Sequence, residues 1–182
     1  MKIMNKAFAT VATLTVCISS VSLASRSGHQ QNSQPSPSQS SDFSQCNSKG
    51  KPLPIDDAQV LNWEDTTANQ FASRAHIEGK IHAVYSDHSG HKHFGVQIGQ
   101  AAHDAIEVIY NESFGALPAL SVGDDVEACG DYITSTAPAG RYPASPDRAI
   151  LHWVHKSNAG SHASGFVKVN GVLFGGGNGS GN

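Results

Sequence analysis

No apolar run in this sequence reaches the roughly 20 positions needed to cross a hydrocarbon core. The longest begins at Ala7 and fades near Ile18, so a transmembrane anchor is not expected. Positive charge is also scarce, with 12 Lys and Arg against 15 Asp and Glu and a formal charge of −3. Strong nonspecific binding to nucleic acid depends on Lys and Arg neutralising phosphates and is not expected either. Cysteine is limited to Cys17, Cys46 and Cys129, none in a C-x-x-C pair. No serine stands in a nucleophile-elbow context. The glycines of "GGGNGSG", from Gly175, follow no strand–helix unit and make no phosphate loop. Asp56-Asp57 and Asp124-Asp125 have the positions of cap and turn residues. Hydrophobic content of 38% and charged content of 15% sit below the globular average, which implies that part of the chain does not pack.

The opening segment accounts for some of this. Lys2 and Lys6 precede the apolar run, and Ser22 and Ala24 occupy the minus-three and minus-one positions of a cleavage site. This predicts a secretory signal peptide over residues 1–24 and a periplasmic or secreted protein. A lipoprotein modified at Cys17 is the weaker alternative, because Val16 is not a small residue. Cleavage leaves Cys46 and Cys129, which in an exported chain predict one disulfide. Loss of Lys2 and Lys6 takes the formal charge from −3 to −5, and protonating all ten histidines would bring it to +5.

Residues 25–54 are rich in Ser, Gln and Pro without apolar periodicity and predict a disordered leader that contains His29. Residues 175–182 predict a flexible glycine-rich tail. Between them, residues 55–174 predict one domain. Asp56 is placed to cap a short helix with Val60, Leu61 and Trp63 on its apolar stripe. Alternation of period two then places Ile77, Gly79, Ile81 and Ala83 opposite His76, Glu78, Lys80 and His82. A turn at "SDHSG" leads to a strand with Phe94, Val96 and Ile98 inward. "AIEVIYN", a strand from about Asp125, "RAILHWVH" and a final hairpin turning at Asn170-Gly171 follow. Short strands at close spacing predict an all-β fold with a short N-terminal helix. The first choice is a small five- to six-stranded OB-like barrel, and the alternative is a small β-sandwich.

Histidine is present in excess, with ten residues. Imidazole binds zinc, copper and nickel and titrates near neutrality. On the first hairpin, His82, His91 and His93 form an outward patch that suits either a metal or a plain solvated face. Near the end of the chain, His152, His155 and His162 surround Trp153. Strand alternation puts His152 and His155 on opposite faces unless the strand ends or bulges after Val154, and "KSNAGS" supplies turn residues there. Asn111 ends the third strand, where it could orient a substrate or serve as a turn residue.

The segments "D-H-S-G-H-K-H" (87–93), "Y-N" (110–111), "L-x-V-G-D-x-V-x-x-x-G-x-Y" (120–132) and "H-W-V-H…H-A-S-G-F…N-G-V-L-F" (152–174) resemble an uncharacterised bacterial family of small exported proteins, a domain of unknown function. That family shows a glycine followed three positions on by histidine and glutamine, an "H-N" pair, and an "H-W-T-H…H-x-x-G-W" ending. Here His93 matches the histidine after Gly90, Asn111 the asparagine, and His152, Trp153, His155, His162 and Gly165 the ending. Phe166 stands in place of Trp, Phe94 in place of Gln and Tyr110 in place of His, and the loop before Arg148 is longer. The resemblance implies no activity. It raises His93, His152, His155 and His162 above His76, His82, His88, His91 and His103, which read as surface residues.

Two functions follow as expectations. In the first, His152, His155 and His162 hold zinc or another divalent transition metal. His93 is then the general acid or base, and Asn111 orients the substrate for hydrolysis of a phosphodiester-like bond. In the second, the barrel is a noncatalytic module for an oligosaccharide, a single strand or a protein partner. The ligand is accordingly a small substrate or an oligomer.

Overall fold

The computed structural model describes residues 43–158 and 160–177. The expected signal peptide, the leader as far as Asp42 with His29, and the tail from Asn178 lie outside the described residues.

Strand alternation fixes the architecture. In β3 (Ala72–Val84) Ile77 and Ile81 are buried, and in β4 (His91–Gln97) Phe94 and Val96 are buried, as period two requires. β5 (Ala105–Asn111), β6 (Asp125–Thr134) and β7 (Ala149–His152) complete a barrel in the order β3-β4-β5-β7-β6. β6 closes it by pairing back onto β3 in unbroken register from Ala72↔Ile133 to Lys80↔Asp125. Only β5 and β7 run parallel; the other neighbouring pairs of the barrel are antiparallel. This is the OB-like barrel, closed by five strands, and not the sandwich. β3 serves two partners by bending at His82, where the register with β4 shifts between Ile81 and Ala83.

Helix α1 (Asp57–Thr66) starts where the sequence places it, with the Asp56 carboxylate accepting from the Gln59 amide at 3.0 Å. Val60 is buried, and Trp63 packs on Tyr132 at 5.2 Å between ring centroids. The helix also buries Glu64, whose Oε1 has no partner among the described residues. Burial pushes the Glu64 carboxyl up to about 8, against the pull of Arg148.

The far edge of β6 is shared. β7 takes Asp131–Thr134, and β8 (Phe166–Val169), hairpinned to β9 (Val172–Phe174) through Asn170-Gly171, takes Val126–Cys129. The chain between β7 and β8 leaves that edge and returns to it as the loop Trp153–Gly165. Glycine is needed where the loop closes. A Cβ on Gly130 would lie 2.5 Å from the His152 carbonyl, and one on Gly165 would lie 2.2 Å from the Cys129 carbonyl.

Two boundaries differ from expectation. The end of the leader is folded: β1 (Asn47–Ser48) and β2 (Lys51–Pro52) pair, and the expected Cys46–Cys129 disulfide joins them to β6. Phe43 and Leu53 pack around Phe166. The start of the glycine tail is also engaged, since the Lys156 amide donates to the Gly175 carbonyl at 2.7 Å and the Gly177 amide to the Phe114 carbonyl at 3.2 Å. A covalent bond and a few aromatic contacts outweigh the polar composition of these segments.

Candidate functional site

Because side chains alternate, His91 and His93 share the outer face of β4. Across the ladder His91 pairs with Asn111, His93 with Ile109 and Gly95 with Glu107. Glu107 is in register with Ile150 of β7, so His152, two residues on, lies level with Ile109. His93 and His152 therefore flank Ile109 from the two neighbouring strands. β4 and β5 are the second and third strands of the barrel, whose outer face is where OB-like barrels take ligands.

Hydrogen bonding sets the state of the imidazoles. His93 donates from Nδ1 to Glu107 Oε1 at 2.7 Å, with both side chains largely buried. His91 donates from Nδ1 to the Ser89 carbonyl at 3.0 Å, His155 to the Lys156 carbonyl at 2.9 Å and His162 to the Ala163 carbonyl at 2.9 Å. Carbonyl and carboxylate oxygens only accept, so each Nδ1 carries the proton. Among the described residues none of these four Nε2 atoms has a hydrogen-bond partner. Partners that lock Nδ1 and leave Nε2 open are the usual support of a metal-binding or proton-transferring histidine.

The chain turns at Trp153, not after Val154. β7 ends at His152, and Trp153 has φ of 51°, left-handed for a bulky residue. Val154 still drops into the core, fully buried. Beyond it His155 stacks on Phe114 with centroids 3.7 Å apart and meets His162 edge-on at 5.0 Å. The Trp153 ring lies 4.5 Å from His152 and 5.8 Å from His162. His152 approaches His91, at 6.1 Å. Burial, followed by the neighbouring imidazoles of His91, His155, His162 and His93, lowers the His152 pKa to about 4. Burial also lowers that of His155, against the Lys156 carbonyl.

The expected trio is thus gathered on one rim but divided. His155 and His162 form one pair, and His152 belongs with His91. Two imidazoles sharing a tetrahedral ion at about 2.0–2.1 Å have centroids roughly 5 Å apart, a spacing both pairs approach. Among the described residues no three His, Cys, Asp or Glu side chains converge as a metal-holding group. Asn111 is committed in part: its Oδ1 accepts from the Ser113 amide at 2.9 Å and caps the 3-10 turn Glu112–Phe114. Its side-chain amide protons have no partner among the described residues.

Sequence reasoning missed several residues here. Glu107 is a carboxylate in the apolar strand "AIEVIY", and its outward position was the available signal. Asp147 accepts from Tyr85 Oη at 2.8 Å and bonds His82 Nε2 at 3.1 Å. This cluster fills the space over Gly95, where a Cβ would lie 2.2 Å from His82 Nε2 and 2.5 Å from Asp147 Oδ2. Burial, then the Asp147 hydrogen bond, raises the Tyr85 pKa. His82 and His91 are therefore part of the site region. His76 is not a surface residue either, as its Nδ1 bonds the Leu53 carbonyl at 2.8 Å and its Nε2 bonds Glu127 at 3.1 Å.

Comparison of the chain with protein-family models, with curated proteins and with solved structures finds no match in any of the three.

Proposed function

We propose that the chain is an exported hydrolase of phosphodiester-like substrates, released from a signal peptide and working on the outer face of β4, β5 and β7. The observation that carries this reading is the His93–Glu107 pair, with its open Nε2 set among other imidazoles held in the same tautomer. His93 Nε2 takes or gives the proton. Glu107 holds the ring and balances the charge that appears on it, as a carboxylate does for a catalytic histidine. His155 and His162 would hold zinc or another divalent transition metal, and His152, which belongs with His91, lines the same rim. Such an ion supplies Lewis acidity at a phosphoryl oxygen. The side-chain amide of Asn111 orients the substrate. The substrate would be a small molecule or short oligomer.

A noncatalytic binding module is the second reading. It is favoured by the rings gathered around Trp153, which offer a stacking surface, and by the lack of a converged three-ligand group among the described residues.

The test is turnover of bis(p-nitrophenyl) phosphate by the purified mature protein with zinc or manganese. The expected result is measurable hydrolysis that falls about 100-fold or more in His93→Ala. Absence of turnover with either metal, or turnover unchanged in His93→Ala, overturns the hydrolase.

A further inference from the structure

We propose that His91 and His152 form a transition-metal subsite of their own, bridging β4 and β7 on the sheet and separate from the His155–His162 pair of the loop. It rests on the metal reading above and adds a second ion on the sheet, beside His93.

Four observations carry it. The His91 and His152 rings are 6.1 Å apart and tilted by 56°, within a small adjustment of the spacing at which two imidazoles share one ion. His91 is fixed by Nδ1 on the Ser89 carbonyl, and its backbone by reciprocal bonds to His88 at 3.0 and 3.1 Å, which leaves Nε2 as the available donor. His152 is only partly exposed, yet neither of its nitrogens has a hydrogen bond among the described residues. An imidazole that no protein group engages and that solvent still reaches keeps its nitrogens available to a ligand. Finally, the ring neighbours of His152 are His91 and Trp153, whereas His162 is a ring neighbour of Trp153 and His155, so the two have different imidazole partners.

The arrangement gives each element a separate task. An ion at His91–His152 would sit over Asn111 and Ile109, the residues opposite His91 and His93 on β5. The His93 imidazole projects from the same face, two residues along the strand, with its proton-transferring nitrogen open. Donor chemistry narrows the ion to zinc, copper, nickel or iron, because neutral imidazole suits these and not magnesium or calcium.

The experiment is calorimetric titration of the mature protein with Zn²⁺ alone, repeated with Co²⁺ by visible absorption, for wild type, His91→Ala, His152→Ala and His162→Ala. Thermal unfolding without metal checks that each variant folds. His91 lies at the start of a strand with its side chain partly exposed, so His91→Ala keeps the test usable if His152→Ala does not fold. The expected result is two binding events in wild type. His91→Ala should weaken or remove one by at least about 10-fold, and His162→Ala the other. Wild-type binding in His91→Ala, with all binding lost in His162→Ala, overturns the sheet subsite and leaves the metal reading standing. No binding by wild type overturns both.

Discussion

The two sides of the barrel use similar side chains and treat them differently. On the β3–β6–β8 side, Arg74 meets Asp131 at 2.8 Å, Lys168 meets Glu127 at 2.8 Å, and Lys80 pairs with Asp125. His76 uses both ring nitrogens. Burial alone would raise the Glu127 carboxyl, but Lys168 and His76 outweigh it and hold it below its ordinary value. A broad groove on that side, lined by Asp57, Glu78, Lys80, Asp125, Glu127 and Lys168, therefore has both of its lysines paired with carboxylates and an excess of acid. On the β4–β5–β7 side His91, His93, His155 and His162 are each fastened by Nδ1 and offer Nε2, and His152 has neither nitrogen bonded among the described residues. The histidines gather on the β4–β5–β7 side, and what sets them apart from His76 is the number of partners per ring. A ring bonded at both nitrogens belongs to the architecture, and a ring bonded at one can take a ligand or a proton.

The largest expected effect falls on the matched side. Arg74 is nearly buried and also donates to the Asn47 carbonyl at 3.3 Å, to Cys129 Sγ at 3.1 Å and to the Ser164 carbonyl. Arg74→Met leaves these acceptors without a donor and should cost about 3 kcal/mol of stability in urea unfolding. A loss below about 1 kcal/mol would mean that the matched side is not what holds the fold.

Glu64 gives a second contrast, because its unpartnered atom is buried and faces no ligand. Its folded pKa of about 8 lies above the ordinary 4.5. The native state therefore holds a proton that the unfolded chain has lost, and this contribution to stability falls as pH rises from 4.5 toward 8. Glu64→Gln should remove that fall and gain about 1–3 kcal/mol at alkaline pH, read from unfolding midpoints across pH. Parallel curves for the two proteins would contradict the assignment.

Asn111 should give the smallest effect and divides its two roles. Asn111→Ala removes the cap of the 3-10 turn and should cost about 0.5–1 kcal/mol. Turnover should fall about 10-fold if the amide also orients substrate, and should not change if the residue only caps the turn. Turnover measured beside the unfolding curve decides between them.

Much of the fold was legible because alternation is a strong signal. β5 and β6 begin at Ala105 and Asp125, and the final hairpin turns at Asn170-Gly171, as read from the pattern. The site was only half legible. The identity of His93, His152, His155 and His162 was readable, but their grouping depends on Trp153 in a left-handed conformation, which no residue type announces. Glu107 was hidden by the apolar strand around it. His91 was set aside as a surface residue because sequence shows neither ring distances nor which nitrogen is bonded. The folded end of the leader was hidden by its composition, since one covalent bond does the work of many apolar contacts.

That bond has a mechanical consequence. It joins residues 83 positions apart and encloses β3, β4, β5 and the first half of β6. A loop of that length restricts the unfolded chain enough to contribute about 4–5 kcal/mol. Once it opens, Asn47 is held near Arg74 by noncovalent contacts alone, and the same guanidinium grips Ser164 at the base of the histidine loop. One side chain thus touches the N-terminal segment, the disulfide and the base of the histidine loop at once.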